Sequence, residues 1–396
     1  MTKPVTDPTG GLISTAGPAR PERVVDLDAI AANVRAVRGL LRPGTALMAV
    51  VKADAYGHGI LDVAAAAVAA GADWLGVAVP DEALTLRSAG IDVPVLCWLT
   101  SPGTDPAPLV RTGVDITVSA PWRLREVVDA AAGVGRPARV QVKVDTGLAR
   151  NGVAPHQLPE LLADVRAARD AGLLTLTGVW SHLACADVPA DPVTDVQRTA
   201  FLAAVEQVRA AGLDPGLRHL ANSAATLTRP DTHFDLVRTG IAVYGYPPTP
   251  TSPARLRPAM TVRAGLVQVK SVGAGQGVSY GHDWHTPVPT TLGLVPIGYA
   301  DGILRAASPG AHAWVNGRQV PLVGRVCMDQ VVVDLGPDAA DRPGDEVVLF
   351  GPGTRGEPTA DDWARAAGTI SYEILTGMRG RVGRRSVRAG EDGSDA

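Results

Sequence analysis

Apolar and polar positions follow two different rhythms along this chain. From Asp26 on, short apolar runs are each followed by a stretch with apolar residues three or four positions apart, the spacing of an amphipathic helix. Eight apolar runs precede Pro248: ALMAVV, WLGVA, VPVLCWL, DITVS, RVQVKVD, TLTGVWSH, LRHLA and FDLVR. Strands that alternate with helices indicate parallel βα units, and eight of them favour a closed (β/α)8 barrel of the TIM type over an open sheet.

After Pro248 the chain changes to short strand-like segments, such as MTVRAGLVQVKSV and VCMDQVVVDLG, separated in places by NG or GD turns. Short helices are expected at TADDWARAAG and SYEILTGM. The fold class is therefore predicted as α/β, a TIM-type barrel followed by a mostly antiparallel β domain. The predicted boundaries are a flexible tail over 1–20, the barrel over 21–250, the β domain over 251–388 and a flexible tail over 389–396.

Composition limits the partners that we expect. The chain has 396 residues, is 46% hydrophobic and carries a net charge of −3, so two domains with a sizeable core fit its length. No basic patch indicates nucleic acid, and no apolar stretch is long enough to span a membrane. The three cysteines are scattered and no metal-ligand spacing is present, so neither a disulfide framework nor a metal site is expected. Without a signal-peptide pattern, the cytoplasm is the expected compartment.

Lysine is used sparingly in this chain. Of the 37 basic residues only Lys3, Lys52, Lys143 and Lys270 are lysines, and the last three lie in strand-like segments. Arginine stays protonated in proteins, whereas a lysine can lose its proton and then act as a nucleophile. We therefore expect amine chemistry from at least one of these three, and Lys52 in AVVKADAYGHG is the leading candidate.

Polar side chains stand at the ends of the predicted barrel strands, where barrel enzymes carry their chemistry. They are Lys52, Lys143 with Asp145, His182, Asn222 with Ser223, and Arg238. A lysine in this place can form a Schiff base with a substrate carbonyl or hold pyridoxal 5'-phosphate (PLP). The second alternative needs a phosphate site, and its candidates are the backbone of Gly240 and Ile241, the start of the helix at Ser223 and the hydroxyl of Tyr56.

In their order along the chain, these motifs resemble those of the PLP-dependent alanine racemases over nearly the whole length. The matching stretches are AVVKADAYGHG, KVDTGLARNG, SHLACAD, HLANSAATL, VRTGIAVYG, GVSYGHDW, PIGYADG, VGRVCMDQ and TISYEILTGM. The resemblance implies an isomerase that interconverts L- and D-alanine and supplies D-alanine for peptidoglycan. It also implies a homodimer whose active site is shared between the subunits.

The resemblance assigns roles to single residues. Lys52 would bind PLP covalently and act as the base on one face of the substrate α-carbon, with Tyr280 of the partner subunit as the base on the other face. The remaining cofactor contacts would come from Tyr56, His182, Ser223, Arg238, Gly240, Ile241 and Tyr372. Arg150 and Met328 would bind the substrate carboxylate, and a carbamylated Lys143 would position Arg150. An access corridor would be lined by Asp187, Tyr299, Asp301, Arg305 and Arg325.

Several alternatives remain open at this level. Lys143 could be a buried lysine paired with Asp145, and His182 could be a core histidine. The whole protein could be a racemase of broader specificity, a related decarboxylase or a non-enzymatic PLP-binding protein. The VGRVCMDQ stretch favours the racemase over the decarboxylase. The VSYGHDW stretch disfavours the carrier, because such carriers lack a second domain with this tyrosine.

Overall fold

The structure, a computed structural model, describes residues 17–249 and 252–388. These residues form two compact units, one running from Asp28 to Arg257 and the other combining the residues before Asp28 with those from Pro258 on. The predicted barrel boundary at residue 21 is corrected by this division. Strand β1 (Glu22–Asp26) pairs with strands of the second unit, so the described part of the chain passes through the β unit before it enters the barrel. Most of the predicted 1–20 tail and all of the 389–396 tail lie outside the described residues.

The first unit contains an eight-stranded parallel barrel among its described residues. Neighbouring strands follow one another in chain order, and the last strand returns to pair with the first, with Met48 opposite Arg238. Two backbone hydrogen bonds, Asp235 N to Arg218 O and Arg238 N to Ala221 O (both 3.0 Å), join the remaining edges. The strands are β2 (Ala46–Val50), β3 (Trp74–Val77), β4 (Val95–Cys97), β5 (Asp115–Val118), β6 (Ala138–Lys143), β7 (Leu174–Trp180), β8 (Leu217–His219) and β9 (Leu236–Thr239). All eight predicted runs, and the predicted barrel, are confirmed.

Helices follow the barrel strands, and one precedes them. Helix α1 (Leu27–Arg38) comes before β2, and its Asn33 side chain donates to Val243 O (3.0 Å) and Arg257 O (2.8 Å), in the segment after β9. The helix that leads into the first barrel strand thus packs against the chain that leaves the last one. The others are α2 (Lys52–Tyr56), α3 (Ile60–Ala69), α4 (Pro80–Ser88), α5 (Ala107–Arg111), α6 (Pro121–Val134), α7 (Leu158–Asp170), α8 (Val193–Ala210) and α9 (Ser223–Thr228), with a 3-10 turn at Pro230–Thr232.

The second unit is built on a nine-stranded sheet in the order β11-β14-β17-β16-β15-β18-β10-β1-β19. Every pairing in it is antiparallel except that of β1 with β19, so the predicted mostly antiparallel domain is confirmed. A separate pair, β12 with β13, stands beside it. The strands are β10 (Met260–Gly265), β11 (Gln268–Val272), β12 (Gly277–Val278), β13 (Trp284–His285), β14 (Thr290–Val295), β15 (His312–Val315), β16 (Arg318–Val323), β17 (Val331–Gly336), β18 (Glu346–Phe350) and β19 (Gly383–Val387).

Local sequence explains several of these elements. In β17 the residues Val331, Val333 and Leu335 are buried and alternate with half-buried ones, as expected for a sheet with one covered face. The NG turn between β15 and β16 places both Asn316 (φ 42°) and Gly317 (φ 86°) in the left-handed region, which a tight hairpin requires. The two predicted short helices are present as α10 (Ala360–Ala367) and α11 (Ser371–Gly377), and 3-10 turns lie at Tyr280–His282, Tyr299–Asp301 and Arg305–Ala307.

Candidate active site

The predicted barrel residues meet at one end of the barrel. Lys52 lies two residues after the end of β2, Lys143 ends β6, and Arg238 lies near the end of β9. The carboxyl ends of parallel barrel strands share one face, so these side chains converge. Lys143 is buried, with its Nζ 4.4 Å from the centre of the Trp180 ring, and the Arg238 guanidinium carbon lies 4.8 Å from the same centre.

An aromatic row runs beneath these cations. Trp98 and Trp180 lie 6.1 Å apart, and Trp180 stacks on His219 at 5.6 Å with the two rings nearly parallel. Lys52 Nζ lies 6.0 Å from the Trp98 ring centre. Aromatic faces carry negative partial charge, so the two indoles partly offset the positive charge gathered here.

The chain after Lys52 has an unusual conformation. Ala53, Asp54, Ala55 and Tyr56 all have φ between 51° and 54°, so α2 is a turn of left-handed helix made without glycine. Left-handed helix costs L-residues roughly 1–2 kcal/mol each, so the turn stores roughly 4–8 kcal/mol that surrounding contacts must offset. These contacts include a hydrogen bond from Ile60 N to the Asp54 carboxylate (2.9 Å). The turn brings the Tyr56 ring back over Tyr244, with ring centres 4.6 Å apart.

Predicted phosphate ligands come together beside this turn. Ser223 Oγ accepts hydrogen bonds from Gly240 N (2.9 Å) and Ala242 N (3.4 Å), which ties the start of α9 to the chain after β9. A Cβ at Gly240 would overlap the Tyr56 hydroxyl, so the missing side chain lets the tyrosine lie against the backbone. The expected free amide at Gly240 is instead bonded to the serine, and the Ser223 and Tyr56 hydroxyls are the donors that fit a phosphate.

Arg238 is the centre of a buried hydrogen-bond network. Its guanidinium donates to Ser181 O (2.7 Å) and Leu220 O (3.1 Å), and it lies 3.1 Å from His219 Nδ1. His219 in turn contacts Gln141 Oε1 through Nε2 (2.8 Å). Burial lowers the pKa of Arg238 to about 9, so it remains a cation at neutral pH. Burial, followed by the Arg238 charge, holds the pKa of His219 well below its usual range, so this imidazole is neutral.

His182 and the two lysines also have lowered pKa values. Burial and then the Arg238 charge hold the pKa of His182 well below its usual range, and its Nδ1 lies 3.3 Å from Arg238. Burial, Arg238 and Arg150 lower the pKa of Lys143 to about 7. Burial, followed by the Arg150 charge, lowers the pKa of Lys52. Both amines are therefore easier to deprotonate than free lysine, which is what a nucleophilic amine needs.

The loop after β6 bears on the alternative interpretation of Lys143. Asp145 Oδ1 accepts hydrogen bonds from the amides of Gly147 (2.9 Å) and Ala149 (3.2 Å), and these shape the loop that carries the exposed Arg150. Among the described residues no ion pair joins Asp145 to Lys143. Asp187, a predicted corridor residue, is exposed in the segment after β7.

The other predicted site residues lie on the β unit. Tyr280 is 72% exposed, in the 3-10 turn after β12. Ser279 holds this turn, because its hydroxyl donates to Arg325 O (2.7 Å) while the Arg325 side chain pairs with Asp283. Met328 lies in the segment between β16 and β17 and is 53% exposed. Tyr280 is therefore exposed on a turn whose position is fixed by local hydrogen bonds.

The predicted corridor residues of the β unit differ in environment. Tyr299 and Arg305 are exposed, whereas Asp301 is buried and accepts two hydrogen bonds from Arg381 (2.9 and 3.2 Å). Asp301 therefore holds the Arg381 side chain, which also donates a hydrogen bond to Asp329 (2.7 Å). Tyr372 is half-buried in α11.

Sequence reasoning missed four residues of the barrel mouth: His219, Gln141, Trp98 and Trp180. His219 is the last residue of β8, so the rule that picked the other strand-end residues could have found it. The two tryptophans lie in apolar runs, so the sequence suggests ordinary core residues. Only their contacts with Lys52 and Lys143 show that they belong to the barrel mouth.

A parallel barrel with amines, a guanidinium network and a hydroxyl pair at its mouth, followed by a separate β domain, defines a two-domain barrel enzyme. The family model described as "Alanine racemase, N-terminal domain" matches residues 25–248, and the model described as "Alanine racemase, C-terminal domain" matches residues 259–386. The chain belongs to the alanine racemase family, and it is an isomerase.

Similar proteins agree with this assignment. The alanine racemase of Streptomyces coelicolor is 55% identical over 369 residues, which cover 91% of this chain and 94% of the relative. The alanine racemase of Thermobifida fusca is 52% identical over 93% of this chain and 97% of its own length. The crystal structure of alanine racemase from the D-cycloserine producer Streptomyces lavendulae superposes with a TM-score of 0.91, at 52% identity over 93% of this chain and 97% of that one.

Proposed function

We propose that this protein interconverts L- and D-alanine with PLP bound covalently to Lys52. The observation that carries the proposal is the half-buried Lys52 amine, with its lowered pKa, beside a pair of hydroxyls suited to a phosphate. Bound PLP would withdraw electrons from the substrate α-carbon and so acidify its α-proton. The amine, Tyr56, Ser223 and the Arg238 cation fit the aldehyde, phosphate and ring nitrogen of this cofactor.

Arg238 would donate a hydrogen bond to the ring nitrogen. With a pKa of about 9, the guanidinium keeps its proton at neutral pH, so the nitrogen would receive a hydrogen bond rather than a full proton. This moderates the electron withdrawal and favours return of the α-proton over side reactions. His182, Gly240, Ile241 and Tyr372 complete the proposed cofactor contacts.

Racemisation requires a base on each face of the α-carbon, since the proton must leave one face and return to the other. Lys52 is proposed for one face and Tyr280 of the partner subunit for the other. The high exposure of Tyr280 on its braced turn supports a role outside its own unit. The active unit is then a homodimer.

Substrate would be held by its carboxylate. Arg150, with Met328 nearby in the completed site, is the proposed partner, because a guanidinium matches a planar carboxylate. Carbamylated Lys143 would act as an anion that positions Arg150. Access is proposed along Asp187, Tyr299, Arg305 and Arg325, with buried Asp301 acting through the Arg381 side chain that it binds.

The product D-alanine is proposed to serve peptidoglycan synthesis, and the cytoplasm stays the proposed compartment. Among the described residues, no helix is both long and apolar enough to cross a membrane. A strain that lacks the gene should require added D-alanine for growth, and growth without it would contradict the biosynthetic role.

The proposal is tested on the purified protein. It should absorb near-visible light from bound PLP, and borohydride should fix the cofactor on Lys52, located by peptide mass spectrometry. With L-alanine in heavy water, loss of optical rotation should accompany deuterium entry at the α-carbon. Bound cofactor without exchange would contradict racemase activity. Parallel assays with serine and valine would show whether specificity is broader than alanine.

Tyr280→Phe tests the second base. Removal of one hydroxyl on one face should slow α-proton removal from one enantiomer by at least about a hundredfold, the lower range for loss of a general base. Exchange from the other enantiomer should suffer less. Equal small effects on both enantiomers would contradict the two-base assignment, and exchange from the two enantiomers in the same variant serves as the internal control.

A further inference from the structure

Glu82, in the first turn of α4, joins two parts of the barrel mouth. Its Oε1 accepts a hydrogen bond from Ala53 N (2.6 Å), the amide next to Lys52. Its Oε2 accepts from Ala78 N (2.9 Å) and Val79 N (3.2 Å), just past the end of β3. One carboxylate therefore satisfies three backbone donors and ties the left-handed turn α2 to the neighbouring strand.

The same carboxylate acts on Lys52 by its charge. Burial and the Arg150 cation lower the pKa of Lys52, while Glu82 raises it. Lys143 and His182, the other titratable groups whose surroundings include Lys52, lie on β6 and after β7. Among the described residues of the barrel mouth, Glu82 is thus the anion whose charge opposes the effect of Arg150 on the pKa of Lys52.

We propose that Glu82 is a positioning residue for Lys52. Its carboxylate holds the strained turn that begins after the lysine and supplies the counter-charge of the amine. The inference deepens the proposed function, since it concerns the lysine on which that function rests. Capping of α4 involves the bond from Val79, which is its N-cap residue. The bond from Ala53 and the negative charge act instead on the turn that begins with Lys52.

The two parts of this role can be separated by substitution. Glu82→Gln removes the charge and leaves one good acceptor for three donors. Glu82→Asp keeps the charge but is one methylene shorter, so it cannot reach both the turn and the strand. Asp81→Asn is the matched control, because Asp81 is an exposed carboxylate in the same first turn of α4. Circular dichroism would confirm that each variant folds.

The first measurement is the reactivity of Lys52 in the full-length protein freed of cofactor. Trace acetic anhydride reacts only with neutral amines, so peptide mass spectrometry of Lys52 labelling against pH reports its titration, with exposed Lys270 as reference. Glu82→Gln should move the midpoint to lower pH by about half a unit, because one stabilising charge is lost. Asp81→Asn should leave it in place, and Glu82→Asp should stay near the parent.

The second measurement is hydrogen exchange of the peptide that covers residues 52–60. In Glu82→Asp its amides should exchange about tenfold faster or more, since the turn loses its tie to β3. Unchanged titration in Glu82→Gln together with unchanged exchange in Glu82→Asp would overturn the role of Glu82. If labelling and exchange change as expected but Lys52 takes up no PLP, the positioning role stands and the proposed function fails.

Discussion

At the scale of single residues, the barrel mouth gathers positive charge in a small space. Arg238, Arg150 and Lys52 each lower the pKa of Lys143, after burial, and only Asp145 raises it. The repulsion from these cations destabilises a protonated Lys143, so the site is more stable when this side chain is neutral or negatively charged. The free-energy balance at the site therefore favours an uncharged or anionic Lys143.

Lys143 is expected to carry a carbamate. Its pKa is lowered to about 7, so the neutral form of the amine is accessible near neutral pH, and a neutral amine adds carbon dioxide to form a carbamate and one proton. Protein equilibrated with ¹³C-bicarbonate should show one carbamate carbon by NMR. Because the amine is protonated below its pKa, the signal should fade as the pH falls below 7 and persist above it.

The control for this experiment is another lysine of a strand. Lys270→Arg, on the exposed face of β11, should keep the signal, whereas Lys143→Arg should abolish it and raise the KM for alanine. A signal that survives in Lys143→Arg would contradict the assignment.

Gly240 tests the proposed phosphate site. Gly240→Ala places a methyl group against the Tyr56 hydroxyl, so the tyrosine or the backbone must shift. We expect the PLP dissociation constant to rise at least about tenfold, which corresponds to about 1.4 kcal/mol. Equilibrium binding to cofactor-free protein measures it. Gly133→Ala in α6, where the added methyl meets open space, should leave the affinity unchanged, and an equal loss in both variants would contradict the site.

At the scale of elements, the left-handed turn α2 shows how local preference yields to tertiary contacts. No residue of KADAY favours φ above zero, so local preference does not account for this turn. The hydrogen bonds to Asp54 and Glu82, together with the Tyr56–Tyr244 stacking, offset the strain. A rigid, strained segment next to a reactive lysine restricts where its amine can point.

Ala53→Gly should stabilise the protein, although replacing alanine by glycine in a helix usually destabilises it. Ala53 is exposed at φ 54°, so glycine removes a strain of about 1–2 kcal/mol and adds less than that in unfolded-chain entropy. Urea unfolding should show a free energy of unfolding raised by up to about 1 kcal/mol. Ala65→Gly, exposed within right-handed α3, should lower it by about 1 kcal/mol. Destabilisation in both variants would show that the turn is not strained in solution.

At the scale of the whole molecule, the proposed site needs residues of both units, and the homodimer proposal assigns them to different subunits. Mixing Lys52→Ala and Tyr280→Phe subunits tests this assignment. In a random mixture, half of the dimers are mixed and each has one unsubstituted site, so about a quarter of the parent activity should return. Activity assays after subunit exchange measure this recovery.

The matched control mixes Lys52→Ala with Lys143→Ala. Both substitutions lie on the barrel, so every site retains one of them and mixing should add no activity beyond that of the two separate variants. No recovery with Tyr280→Phe would place both bases on one chain. Recovery in this control would show instead that Lys52 and Lys143 do not serve the same site.

The succession of elements was predictable because each depends on neighbours in sequence. All eight barrel strands and the helices α10 and α11 follow from apolar periodicity, which reports which face of a segment is buried. The strand-end rule also located Lys52, Lys143, His182, Ser223 and Arg238, since a closed parallel barrel brings these ends together whatever the side chains are. The family resemblance supplied the roles of the rest.

Long-range pairing was decided only by the tertiary structure. Strand β1 lies far in sequence from its partners β10 and β19, so its membership of the β unit could not be read from local pattern. The His219–Arg238 contact and the hydrogen bond from Ala53 N to Glu82 likewise join residues 19 and 29 positions apart along the chain. Periodicity determines which side of a segment is buried, whereas packing determines which atoms it meets, and the chemistry of Lys52 depends on the second.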